Sequence, residues 1–324
     1  MKISVVTASY NGAKHIAEQL ESIKHQSILP HEIVISDDGS TDNTASIVEE
    51  FAKNTPEINV VFVHNSSPHG VDRNFENALR HAAGDIIFLC DQDDVWLPER
   101  IERMLTAFDG NTPSATFCDS MITDEKLSPL GFTHIKSRGF GSFDEIFSAG
   151  STAFLKRVPP AGHDMAFSSK FLDILLPFPD LKDCYDTWIG LVLYALGAWK
   201  FSTSQPLTLF RRHQNSASRS GSIPSLREKI TQARSAVEND TSNWYAELYA
   251  ELIRRTKEHI SPEMLDMLDA RRRHSLTRSM MNTGFLKRVK LVMQETCNGN
   301  YFRFGRSFAN IAQDILLRHP AKHS

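Results

Sequence analysis

The strongest constraint on this chain is a pattern that recurs four times in its first third: a short apolar run rich in β-branched residues, then a helical stretch. Ile3 to Thr7 is the first such run. Nearly continuous hydrophobicity over so few residues predicts a strand buried on both faces, as in a parallel sheet. Asn11-Gly12 marks a turn, and Ile16, Leu20 and Ile23 then share one helical face. His31 to Ser36, Val60 to His64 and Asp85 to Cys90 read as further strands. Thr44 to Phe51, entered through Ser40 to Asn43, reads as a helix, as do Val71 to Ala83 and Leu97 to Phe108. Ala115 to Cys118 adds one more strand.

The links are short enough for right-handed βαβ crossovers. The alternation therefore predicts an α/β fold, with a mostly parallel twisted sheet and helices on both faces. Sheets of this kind bind ligands beyond the carboxyl ends of their strands. Three polar clusters fall at such ends: Ser9-Tyr10-Asn11, Asp37-Asp38-Gly39-Ser40 and Asp91-Gln92-Asp93-Asp94. Residues 119 to about 215 are less regular, rich in Gly, Pro and Phe, and are expected to complete the site. From about Pro224 onward helical patterns dominate. The expected division is a catalytic domain over 1–220 and a basic, helical C-terminal appendage over 221–324.

Several function classes are disfavoured. No GxGxxG follows the first strand, which argues against a dinucleotide-binding dehydrogenase. Thr7 to Lys14 holds one Gly and one Lys, too little for the triphosphate loop of a nucleotide-sugar pyrophosphorylase. The four cysteines, Cys90, Cys118, Cys184 and Cys297, are far apart and suggest reduced thiols rather than a disulfide framework or a zinc site. The first apolar run is too short for a signal segment, and no run of about 18 apolar residues occurs. A cytoplasmic protein is expected.

Asp91-Gln92-Asp93-Asp94, with Val95-Trp96-Leu97-Pro98 after it, carries the most chemistry. Carboxylates at alternate positions of an extended segment point the same way. One can hold a hard cation, Mg²⁺ or Mn²⁺, while another accepts a ribose hydroxyl. The plain alternative is an acidic turn capping the following helix.

Taken together, Thr7-Ala8-Ser9-Tyr10-Asn11-Gly12, Asp37 to Asp42 and Asp91 to Asp94 closely resemble the family 2 glycosyltransferases of the GT-A fold. Gln26 and Gly84-Asp85 fit the same spacing. The QDDxW form is similar to the bacterial rhamnosyltransferase-like branch, which builds O-antigen and capsule glycans. The resemblance covers roughly residues 1 to 215. It implies a nucleotide-sugar site made of Ala8, Tyr10, Asp38, Asn74, Asp91 and Gln92. Tyr10 would stack on the nucleobase. Asp38, which as a carboxylate accepts and cannot donate, would take the ring N–H of uracil or thymine. Asn74 would contact the nucleotide sugar.

Asp93 would bind the metal, with His213 of Phe210-Arg211-Arg212-His213 as a further ligand or phosphate contact. Asp94, Trp96, Met165, Arg211 and Arg212 would contact acceptor or phosphate. Gly162-His163-Asp164-Met165-Ala166-Phe167 resembles a segment passing under the donor sugar. Asp183-Cys184-Tyr185-Asp186-Thr187-Trp188 resembles the segment with the catalytic base, although Tyr185 stands where the branch commonly has His. Asp186 is the expected base; it can equally cap a helix over 188–196. The implied reaction is single displacement with inversion, from a pyrimidine nucleotide diphosphate sugar to a cell-envelope glycan or lipid-linked acceptor. A catalytically degenerate nucleotide-sugar-binding protein is the alternative.

Residues 271–324 carry eleven Lys and Arg against two acids, Glu295 and Asp314, interleaved with aromatic and aliphatic residues. Such a segment suits peripheral contact with an anionic membrane, or a solvated helical face. No recognisable nucleic-acid module accompanies the charge, and no nucleic-acid partner is expected.

Overall fold

A computed structural model describes residues 1–66, 69–138, 146, 153–156, 160–212, 240–305 and 308–316. The chain divides into two compact units, Met1–Ser148 with Pro159–Gly221, and Ala149–Val158 with Ser222–Ser324.

The first unit is built on a six-stranded sheet. Its first four strands are β1 (Ile3–Ser9), β2 (Glu32–Asp37), β3 (Asn59–His64) and β4 (Ile86–Asp91). The connecting helices are α1 (Ile16–Lys24), α2 (Thr44–Asn54) and α3 (Val71–His81). The strand order is β3-β2-β1-β4, all parallel, continued by β9 (Met165–Ser168) and β6 (Ala115–Phe117). β2 is buried along its whole length, and β1 and β4 are buried except at Ala8 and Asp91, as their continuous hydrophobicity requires. Val5, Ile33, Ile35 and Phe88 join one core with Ile16, Leu20 and Ile23 of α1 and with Val48 and Phe51 of α2. The sheet is not wholly parallel: β9 runs antiparallel to both β4 and β6.

The irregular stretch supplies three of the four strands of a second sheet that short, aperiodic segments did not announce. Its strands are β5 (Val95–Trp96), β7 (Asp119–Thr123), β8 (Pro129–Thr133) and β10 (Pro206–Arg211), in the order β5-β10-β7-β8. The pairing of β5 with β10 holds the chain immediately after the acidic cluster. It also delays the next helix, α4, which spans Arg100–Leu105 and not Leu97 to Phe108.

The second unit is helical. Ser242–Thr256 and Pro262–Ser279 pack together, the latter capped by the Ser261 hydroxyl and opened by Pro262. Phe285–Cys297, Asn300–Phe304 and Phe308–Leu316 follow. Met281, Val292 and Tyr301 form a small core, with Leu291, Ile311 and Ile315 against it. Among the described residues no helix is long and apolar enough to cross a membrane.

Candidate functional site

The strand register sets the three polar clusters level. Ser9 lies opposite Asp37, and Ala8 lies opposite Asp91. Parallel pairing thus turns three segments far apart in sequence into one edge.

Two loops of that edge are stitched together. Asn11 has a positive φ of 46°, a conformation Asn tolerates. Its side-chain oxygen accepts the Thr41 N–H at 2.9 Å, and its own N–H donates to Ser40 Oγ at 2.8 Å. Gly12 N–H donates to Thr44 Oγ1 at 2.9 Å, and Ala13 N–H to Asp42 Oδ2 at 3.0 Å. Asp37 holds its own turn by accepting from Gly39 N, Ser40 N and Ser9 Oγ.

Asp38 accepts from Asn65 Nδ2, His69 Nδ1 and Gly70 N at 2.8–2.9 Å. A carboxylate has about four acceptor directions, and among the described residues these three bonds occupy three of them. Tyr10 is 56% exposed at the rim, while its backbone is clamped. Tyr10 N–H donates to Gln92 Oε1 at 3.0 Å, and Gln92 Nε2 donates to Tyr10 O at 3.1 Å. Gln92 therefore spends its amide on positioning Tyr10. Asn74 is buried on α3 and donates its amide to the Ser9 carbonyl at 3.0 Å, so it braces the end of β1.

The carboxylates of the third cluster lie in unlike surroundings. Asp91 and Asp93 are half-buried, and Ala8 beside them is half-buried too. Asp94 is 0% exposed. Its Oδ1 accepts the Arg211 N–H at 3.1 Å, and its Oδ2 has no hydrogen-bond partner among the described residues. His163 Nδ1 sits 3.3 Å from Asp91 Oδ2 and 3.9 Å from Asp94 Oδ2. Its Nε2 faces Asp164 Oδ2 at 3.4 Å and Ser120 Oγ at 3.2 Å.

Burial works against charging His163, but Asp164, Asp94 and Asp91 outweigh it and raise the imidazole to about 10. Burial pushes Asp94 well above the usual carboxylate range. Asp164 is held well below that range: burial opposes this, and His163 and His134 overcome it. Asp91, Asp94 and His163 bring one ligand atom each within 4.8 Å, and His134, His163 and Asp164 do the same. Asp93 belongs to neither set.

His163 and Asp164 stand inside a motif singled out from the sequence, but nothing in the sequence tied them to the acidic cluster. Only the pairing of β9 beside β4 brings them there.

Asp186 lies in the first turn of the helix Tyr185–Ala195, whose cap residue is Cys184. It is therefore not the cap of a helix starting at 188. Its Oδ1 accepts the Thr187 N–H at 2.6 Å. Burial raises the carboxyl above its usual range, and the negative charge of Asp91 adds to the effect. Tyr185 stacks on Phe75 with ring centroids 4.4 Å apart, and its phenol closes against Gly162.

Three expected acceptor or phosphate contacts are corrected. Met165 is fully buried in β9, paired between β4 and β6. Trp96 is buried, with the Arg100 guanidinium 4.1 Å over its ring. Arg211 is buried; its guanidinium bonds Asp93 O at 2.9 Å and Glu125 O at 2.6 Å, and also pairs with Glu18. Its charge is committed to holding the acidic loop. Arg212 is half-buried and bonds Thr123 O through its backbone. His213 lies outside the described residues.

A mostly parallel sheet whose edge carries an exposed Tyr, a carboxylate turn and an acidic loop after the fourth strand is the arrangement of the GT-A class of nucleotide-sugar folds. Residues 4–155 match the model of Glycosyl transferase family 2. A putative teichuronic acid biosynthesis glycosyltransferase of Bacillus subtilis, TuaG, is 36% identical over 128 residues, 40% of this chain and 50% of that protein. The dTDP-rhamnosyl transferase RfbG of Shigella flexneri is 28% identical over 221 residues, 64% of this chain and 72% of that protein. Several other curated relatives are matched over only 33–37% of their length.

Among solved structures, S. aureus TarS 1–349 in complex with UDP-GlcNAc superimposes with a TM-score of 0.60 at 18% identity, covering 97% of this chain and 82% of that one. A mannosyltransferase from Pyrobaculum calidifontis, in complex with GDP-Man and Mn²⁺, gives 0.51 at 18% identity, covering 98% and 85%. These likenesses establish the fold.

Proposed function

We propose that the chain is an inverting, metal-dependent glycosyltransferase. It takes a hexose or deoxyhexose from a pyrimidine nucleotide diphosphate sugar, dTDP-rhamnose or a UDP-sugar. It places that sugar on a cell-envelope glycan or a lipid-linked acceptor, at the cytoplasmic side. The observation that carries this reading is the register that lines up Tyr10, Asp38 and the Asp91–Asp94 cluster on one sheet edge. The exposed Tyr10 ring offers a stacking face, and a fourth acceptor direction of Asp38 suits the single ring N–H of uracil or thymine. The names of the Shigella and Bacillus relatives favour a rhamnosyl donor and an envelope glycan.

The residues present suit a divalent cation. Asp91 and Asp93 are hard oxygen donors, half-buried and so able to share a cation with a diphosphate, and Mg²⁺ or Mn²⁺ prefers such ligands. Asp94 and His163 are enclosed and back Asp91 from the core side. His213 is retained as a further ligand. A bound cation would offset the charge that builds on the departing nucleoside diphosphate.

Asp186 is the proposed base. It takes the proton of the acceptor hydroxyl as that oxygen bonds the anomeric carbon and the bond to the diphosphate breaks. Its raised pKa brings it closer to neutrality, where a general base works best.

Thermal melting with UDP, dTDP, GDP and CDP, each with Mn²⁺ and with EDTA, tests the donor class. A ligand at about 100 times its Kd adds roughly 2.7 kcal/mol of stability. A metal-dependent shift with one pyrimidine diphosphate is expected. No shift with any of the four would remove the reading. Asp186→Asn is expected to bind donor normally and to lose transfer. Donor binding without turnover in the wild type would instead favour the degenerate binding protein, for which Tyr185 in place of His is the motivating feature.

A further inference from the structure

The last helices of the second unit expose apolar side chains that its core does not use. On the helix Phe285–Cys297, Arg288, Val292 and Glu295 are buried, facing the small core. At about 100° per residue, Leu286, Lys290, Met293 and Cys297 project from the opposite side. Leu286 is 84% exposed and Met293 62%. The helix Phe308–Leu316 also leaves apolar side chains exposed at its two ends. Ile311 and Ile315 pack against the small core and Asp314 is buried, while Phe308 is 76% exposed and Leu316 67%. Phe302 and Phe308 meet edge to face at 5.8 Å, both on the exposed surface. A helix that is merely solvated carries polar residues on its outer face.

The charges are as selective as the apolar groups. Between residues 280 and 316 the only acids are Glu295 and Asp314, and both are buried. Glu295 accepts from His274 Nδ1 at 2.5 Å and Asn300 Nδ2 at 2.8 Å. Asp314 accepts from Arg278 Nε at 2.8 Å and the Tyr301 hydroxyl at 2.7 Å. Lys287, Lys290 and Arg303 are exposed. Every exposed charged side chain among the described residues of this segment is therefore a base.

We infer that this outer face binds an anionic lipid surface. Exposed Leu, Met and Phe enter the headgroup boundary, and the interleaved lysines and arginine meet anionic headgroups, each basic residue contributing modestly. A second copy of the same face would set Lys against Lys with no acid to answer it, which disfavours self-pairing. The inference does not depend on the transfer reading and is tested separately from nucleotide binding.

The test is flotation of the full chain with phosphatidylcholine vesicles, with and without phosphatidylglycerol. The protein is expected to float with the anionic vesicles at low salt and to be released by added salt. Leu286→Gln with Met293→Gln, and separately Lys287→Glu with Lys290→Glu, are each expected to weaken binding at least about tenfold. All four positions are exposed, so melting temperatures and nucleotide-induced shifts should be unchanged. Wild-type protein remaining soluble beside anionic vesicles would overturn the inference, as would variants that float like the wild type. A wild-type dimer broken by the Leu286 and Met293 changes, with no lipid binding, would assign the face to a second copy.

Discussion

Asp72 of α3 accepts the backbone N–H of Tyr185 at 3.0 Å, and the Cys184 N–H at 3.0 Å as well. A carboxylate over one hundred residues away in sequence thus caps the helix that carries Asp186. The cap satisfies two amides that the helix itself leaves unpaired, and its charge suits the helix N-terminus. Asp72→Ala is expected to cost about 1–2 kcal/mol in urea unfolding, the usual range for a lost N-cap. Asp72→Asn keeps an acceptor and should cost less. Under the proposed mechanism the Ala variant also lowers kcat more than it raises the donor KM, because it loosens the base and leaves Tyr10 and Asp38 untouched.

The loop after β1 supports a second prediction. A Cβ on Gly12 would overlap the Gln92 carboxamide, which clamps both backbone groups of Tyr10. Gly12→Ala should therefore displace Gln92 and weaken pyrimidine-diphosphate binding by calorimetry. Gln92→Ala removes the clamp directly and should have a similar effect, on the order of 1 kcal/mol for the lost hydrogen bonds. In the Gln92→Ala background, Gly12→Ala should add little. Strict additivity in that cycle would show that the two residues act independently.

How far the site was readable from the sequence follows from these contacts. β1, β2 and β4 were legible because strands buried on both faces are written as unbroken apolar runs. The polar clusters at their ends were legible because parallel strands finish on one edge. What escaped was whatever depends on pairing between distant short segments. β9 has four residues and β5 two, with no periodicity to detect. Their placement buries Met165 and Trp96 and draws His163 to Asp91, so side chains that looked like acceptor contacts became support. Arg211 misled for a related reason. An exposed phosphate ligand and a buried clamp are the same residue type, and only the position of the Asp93 and Glu125 carbonyls tells them apart.

That clamp gives a third prediction. Arg211 reaches Asp93 O, Glu125 O and Glu18 through three different nitrogens of one planar group. A lysine has one ammonium and cannot span them. Arg211→Lys should destabilise the protein by about 2 kcal/mol or more, through carbonyls left without donors, and Arg211→Ala only somewhat further. Urea denaturation measures both. If Lys restored wild-type stability, charge alone would account for the role of Arg211 and the fork geometry would be irrelevant.

Asp119 supplies a pH-dependent prediction away from the acidic loop. Burial raises its carboxyl to about 6, although its Oδ1 accepts the Ser120 and Ile135 N–H groups at 2.9 and 3.0 Å. The folded state therefore holds this proton more tightly than the unfolded chain does. The associated stability is present below about pH 4 and is lost as pH rises toward about 6, after which it stays flat. At 1.36 kcal/mol per pKa unit the difference is at most roughly 3 kcal/mol. Asp119→Asn keeps the accepting oxygen and carries no charge. It should match the wild type near pH 4 and become the more stable of the two by pH 7, in urea titrations at each pH. A constant offset between the two proteins across that range would mean that the buried carboxyl does not titrate on folding.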